Sequence, residues 1–212
     1  MKLHIKKSIL SIAAAVLMMS SSFAQFNGSI EFTKKVGSIE VNYKYYVSGD
    51  KIRIDEISDG KTEGYQIIDL KTKDFKGVSP DRKMYMDVPN KRPATELNVK
   101  IDKTGKTKEI QGVKCSEIVV TCADKDRKIV YWIAKGDYDF FIPMLETLNR
   151  KENQSMFFLE IPDMKGSFPM LSTEYSISTG DVVSELSAGK MSKSKVDAAK
   201  FVIPSDYKKF ER

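Results

Sequence analysis

Histidine is almost missing from this chain: the 212 residues contain one, His4. It falls in a basic start, Met1-Lys2-Leu3-His4-Ile5-Lys6-Lys7, followed by an apolar stretch from Ile9 to Met19 and the small-residue site Ser22-Phe23-Ala24. That pattern reads as a cleavable signal peptide over residues 1–24. The remaining chain, 25–212, is expected to be one domain working outside the cytoplasm, in the periplasm or beyond the cell. It has no histidine, which excludes Ser-His-Asp and Cys-His catalysis and any His-ligated metal site. The usual acid–base group near neutral pH goes with it.

Long hydrophobic runs are also lacking. The apolar stretch of the signal is shorter than the roughly 18–20 residues a spanning helix needs, and no second one follows, so no integral membrane anchor is expected after cleavage. No cysteine stands near the cleavage site, which argues against acylation there. Charge of one sign is scarce too. The chain carries 35 basic and 29 acidic residues, net +6. Losing Lys2, Lys6 and Lys7 with the signal leaves roughly +3, spread along the chain rather than clustered as nucleic-acid binding requires. G-x-S-x-G, P-loop, G-x-G-x-x-G and EF-hand patterns are all missing. The acid pairs Asp124/Asp126 and Asp137/Asp139 read as turn acids and helix caps. No catalytic residue, metal ligand or cofactor is assigned.

Cysteine is limited to Cys115 and Cys122. An oxidising compartment favours disulfides, but Val113 to Cys122 reads as one strand. Seven steps of about 3.3 Å separate the two Cα atoms by on the order of 23 Å, against a bridge limit near 7 Å. Two buried free thiols are expected, a break in the strand between them being the alternative.

What is present is alternation. Ile39, Val41, Tyr43, Tyr45 and Val47 share one face of a strand, Gly49-Asp50 turns, and Ile52 and Ile54 continue the pattern: a hairpin. Ile30 and Phe32 alternate before it, and Tyr65 to Leu70 forms a strand after it. Short strands follow at Phe75–Val78 and Met84–Val88. Pro89 and Pro93 interrupt, Leu97 to Ile101 extends, Lys103-Thr104-Gly105 turns, and Val113–Cys122 pairs with Ile129–Ala134. The last is apolar on both faces and reads as central. One helix is predicted near Phe140 to Arg150, with Phe141, Met144, Leu145 and Leu148 on one face and Asp137 or Asp139 as cap. Strands resume near Met156–Ile161, Met170–Ile177 and Val182–Leu186. The tail from Lys190 is lysine-rich, with one apolar anchor at Phe201-Val202-Ile203. The fold class is mainly β (α+β): a strongly curved antiparallel sheet, a half-barrel, wrapped around one main helix.

The stretch from Phe140 to Leu171 is rich in Phe and Met. Trp132, Phe141, Met144, Leu145, Leu148, Met156, Phe158 and Phe168 are the candidate lining of a concave apolar groove, suited to an acyl chain or hydrophobic peptide. The same side chains equally suit a filled core between sheet and helix.

Four phrases carry a family resemblance: Gly49-Asp50-Lys51-Ile52-Arg53-Ile54, the run from Thr104 through Gly112-Val113-Lys114-Cys115, Tyr131-Trp132-Ile133-Ala134, and Phe201-Val202-Ile203-Pro204-Ser205-Asp206-Tyr207. On these the chain resembles the secreted bacterial domain-of-unknown-function family DUF4412. The resemblance implies a fold similar to periplasmic lipoprotein carriers, a half-barrel closed by helices over an apolar interior, without catalytic residues; no carrier signature accompanies it. The expected function is that of a non-enzymatic exported protein holding a lipid or other apolar ligand. The alternative is a cell-envelope module that binds a protein partner, and a carboxylate hydrolase ranks below both.

Overall fold

The computed structural model describes residues 25–90, 93 and 96–211; the segment read as a signal peptide lies outside the described residues. Among the described residues twelve strands are formed: β1 (Gly28–Val36), β2 (Ile39–Ser48), β3 (Lys51–Ser58), β4 (Lys61–Asp69), β5 (Asp74–Ser79), β6 (Met84–Asp87), β7 (Lys100–Ile110), β8 (Val113–Cys122), β9 (Arg127–Lys135), β10 (Ser167–Ser176), β11 (Val182–Ser192) and β12 (Lys208–Lys209). Two helices, α1 (Phe141–Leu148) and α2 (Asn153–Leu159), lie between β9 and β10.

All twelve strands join one open sheet in the order β12-β6-β5-β4-β3-β2-β1-β11-β10-β9-β8-β7. Two antiparallel runs, β1 to β6 and β7 to β11, are sewn together where β1 pairs with β11. Only β12 runs parallel to its neighbour, β6. The expected hairpin is present, with Tyr45 opposite Ile54 and Val47 opposite Ile52.

Period-two alternation sends Ile30, Phe32, Val47, Ile52, Ile54, Ile68, Ile118, Val120, Ile129, Tyr131 and Ile133 into one buried cluster, which the two helices complete. At its centre lies a group of rings. Phe168 meets Phe141 at 4.8 Å, Tyr138 at 5.0 Å, Phe32 at 5.4 Å and Phe140 at 6.0 Å between centroids. Such offset and edge contacts add to the area that large aromatic side chains bury.

The opposite face is built of charge and stacked cations. Glu31 and Lys44 pair at 3.0 Å across β1 and β2. Buried Asp55 takes the guanidinium of Arg53, whose other side lies 3.6 Å from the ring centroid of Tyr65. The C-terminal segment crosses here. Its short 3-10 turn, Ala198–Phe201, offers the Lys200 carbonyl to Arg53 at 3.1 Å. Ile203 and Tyr207 then cover a second small cluster of Tyr65, Ile67 and Val78.

Three expectations are corrected. Lys103-Thr104-Gly105 does not turn the chain. It lies inside β7 as a bulge, four steps there opposing two on β8, with Gly105 at φ +75° supplying the positive angle the kink needs. The turn comes later, at Gln111-Gly112, where both φ values are positive (52° and 74°), as a two-residue hairpin connection demands. The strand expected near Met156–Ile161 is replaced by α2, so the sheet carries two helices instead of one. Neither Asp137 nor Asp139 caps α1: it starts from Phe140 with no side-chain cap. The two cysteines lie at either end of the unbroken β8, both buried and unbridged.

Candidate functional site

Helix α1 forms because apolar residues recur every three or four positions, turning Phe141, Met144, Leu145 and Leu148 inward. Pro143 is tolerated because it falls in the first turn. The helix stops at Asn149, which adopts a left-handed conformation (φ 43°) and sends its N–H to the Leu145 carbonyl at 2.9 Å.

Helix α2 is fixed by polar groups at its start. Buried Gln154 donates to Ser184 Oγ at 3.1 Å, and Ser184 donates to Glu174 at 2.8 Å. Asn153 reaches the same carboxylate at 2.7 Å and Arg127 at 3.1 Å. The Tyr131 hydroxyl donates to the Gln154 carbonyl at 2.7 Å. Glu174 therefore anchors α2 to β9, β10 and β11 at once. A buried carboxylate is tolerable only when satisfied in this way.

Of the eight side chains singled out in the sequence, Phe141, Met144, Leu145, Leu148, Phe158 and Phe168 meet between helices and sheet, all at most 8% exposed. They fill most of that space. A cavity of about 50 Å³ remains, walled by Phe141, Met144, Leu145 and Leu148 and by Phe32, Tyr43, Tyr45, Ile54 and Leu186; Phe158 and Phe168 are packed into the core and do not line it. Met156 is half-buried and lies beside it, in an open groove of about 440 Å³ between the two helices and the segment around Asn90, Pro93 and Leu97. Trp132 is on the other side of β9, half-buried beneath the Lys108 ammonium at 4.1 Å, and does not line either space.

Groove and cavity share Leu145, Arg150 and Ser155, so the inner space opens toward solvent past the link between the helices. Asn90 ties the outer wall to that link: its side chain donates to the Glu146 carbonyl at 3.0 Å and accepts from Asn149 at 2.6 Å. Lys34 and Glu152 pair at 3.0 Å on the cavity's rim. Inside, burial pushes the Tyr45 hydroxyl up to about 12, and burial aided by Glu56 raises Tyr43, with Arg150 opposing both. Burial holds Tyr131 well above the ordinary tyrosine range. The interior is thus a place where neutral groups are favoured and ionised ones are not.

Tyr43 and Tyr45 are signalled by their place on the apolar face of β2. Arg150 and Gln66 carry no such signal, because their meeting depends on the helix link folding back over β4. Among the described residues, no cluster of three or more Cys, Asp or Glu is placed to hold a metal ion, and no helix is long and apolar enough to cross a membrane.

An open, almost wholly antiparallel sheet with two helices on one face defines the class. The chain belongs to a family described as a domain of unknown function (DUF4412), whose model matches residues 26–207. No curated protein matches it. Among solved structures it is similar to the MucA/MucB complex of Pseudomonas aeruginosa, at 9% identity over 86% of this chain and 57% of that one, TM-score 0.50. PNGF-II is matched at 11% identity over 82% of this chain and 29% of that one, TM-score 0.41. A LolA superfamily protein from Nitrosomonas europaea is matched at 11% identity over 85% and 91%, TM-score 0.34. The chain spans about three tenths of the PNGF-II chain and under three fifths of the MucA/MucB one. At these identities the likeness concerns the fold alone.

Proposed function

We propose that this is an exported, non-enzymatic binding protein that takes the acyl chain of a lipid or a similar apolar ligand between its helices and its sheet. In this reading the sheet is a strongly curved half-barrel and α1 and α2 are its movable cover. The observation that carries it is the continuity of the groove with the inner cavity. Ligand sites run to about 300–1,000 Å³, and the groove of about 440 Å³ falls in that range. The inner space of about 50 Å³ holds little more than a water. An acyl chain starting at Leu97, Met156 and Leu159 reaches the interior only as the helices move outward.

Lipid mass spectrometry on gently purified protein, together with uptake of N-phenyl-1-naphthylamine, is the test. Bound acyl lipid and saturable probe fluorescence are expected, with Met156→Trp weakening probe uptake by about tenfold by filling the groove. A folded protein that carries no lipid and takes up no probe overturns the reading.

A protein partner is the second reading. β7 leaves one sheet edge unpaired, and the fold is matched in a complex of two proteins, MucA and MucB. Recovery of one stoichiometric protein partner from envelope extracts, without lipid, favours it.

A further inference from the structure

We infer that the ligand's polar end is an anion held by Arg150; this rests on the binding reading above and specifies its chemistry. Arg150 sits in the link between α1 and α2 and lines both the open groove and the inner cavity. Its surroundings set it apart from the other half-buried cations among the described residues. Lys34, Lys44, Arg53, Lys76 and Arg127 each have a carboxylate partner, in Glu152, Glu31, Asp55, Asp87 and Glu174. Lys200 lies over the ring of Tyr46 at 4.7 Å. Arg150 has the neutral amide of Gln66, whose Oε1 accepts from Nη2 at 2.6 Å, and no carboxylate within 4 Å among the described residues.

A guanidinium has five N–H donors in a planar fork. Gln66 uses one of them. Partly withdrawing such a charge from water without a counter-ion is costly, and a carboxylate or phosphate bound in two-pronged fashion relieves the cost. The position suits an amphiphile. Tyr43, Tyr45, Ile54, Leu145 and Leu148 lie on the inner side of Arg150 for a tail, and exposed Lys151 adds positive charge on the outer side. The acids nearby do not fill the role. Glu152 is engaged by Lys34, while Glu146 and Glu160 are exposed on the groove's outer margin, where water and salt screen them. Glu56, also exposed, faces Tyr43 across β2 and β3.

The test compares three twelve-carbon probes on the full chain by displacement of N-phenyl-1-naphthylamine: dodecanoate, dodecyl phosphate and dodecanol. At least one of the anions is expected to bind about tenfold or more tightly than the alcohol, and whichever is tighter separates a carboxylate ligand from a phosphate one. Arg150→Gln should abolish the advantage of the anions over dodecanol, and Arg150→Lys should restore part of it. Equal binding of all three probes to the unaltered protein overturns the anion inference and leaves the apolar site standing. Failure of all three overturns both. The comparison on the unaltered chain holds even if a variant fails to fold.

Discussion

The two faces of the sheet are stabilised by different physics. The helix side is a cluster of rings and aliphatic groups, closed over by α1 and α2 and centred on Phe168. The other side, over β2 to β6, is a thin layer in which Arg53, Asp55, Lys44 and Lys200 are interleaved with Tyr46 and Tyr65, strapped by the C-terminal segment. One face gains from area removed from water. The other gains from pairing charges that alternation would otherwise leave exposed. The proposed ligand would bury its apolar part on the first, where the open groove and the inner cavity are continuous.

The sharpest way to separate the faces is to remove one side chain from each. Phe168→Ala should cost about 3–5 kcal/mol, read as a loss of thermal and denaturant stability, because the ring touches four others. Asp55→Ala should cost about 2 kcal/mol: it leaves Arg53 without its carboxylate and Thr62 without its 3.3 Å acceptor, but Arg53 keeps the Lys200 carbonyl and the Tyr65 ring. If Asp55→Ala proves as damaging as Phe168→Ala, the division between the faces fails.

pH separates them by sign, with smaller effects. Tyr45 is raised to about 12, so the folded state keeps its proton where an unfolded chain would lose it. Its contribution is present below about pH 10 and is lost as pH rises from there through 12. Tyrosinate absorbance at Tyr45 should therefore appear together with unfolding. At the opposite edge Asp87 is lowered to about 2 by hydrogen bonds from Lys209 and Lys76. Its contribution is present above about pH 4 and fades as pH falls toward 2. Hydrogen exchange at Lys208 and Phe210, whose amides bond to Lys83 and Tyr85, should quicken in acid before exchange in β8 or β9 does.

How much was legible follows the same division. Strands β1 to β3, β8 and β9 show in the sequence because one face is buried and alternation is strict. Helix α2 was hidden. Met156-Phe157-Phe158-Leu159 is too short an apolar run to tell helix from strand by periodicity. What decides it is Gln154 and Asn153 finding Glu174 and Ser184, which arrive from later strands. Gly105 misled because a bulge and a turn both call for positive φ. Of the apolar candidates, Phe141, Met144, Leu145, Leu148 and Met156 line the cavity or the groove, Phe158 and Phe168 fill the core behind them, and Trp132, alternating with Tyr131, belongs to the other face. The role proposed for Arg150 was invisible because it rests on Gln66 from a distant strand being its partner, with no carboxylate beside it among the described residues.

The outermost strand, β7, has a further consequence. β7 pairs with β8 on one side only, and among the described residues its outer edge is a template on which copies of a chain can stack into fibres. Here that edge carries Lys100, Lys103, Lys106 and Lys108 and is kinked at Gly105. Two chains meeting along it would bring ammonium against ammonium and lose register at the kink. The sheet can therefore be left open along this edge, and substituting those lysines with threonine is the change that would turn it into a seed for aggregation.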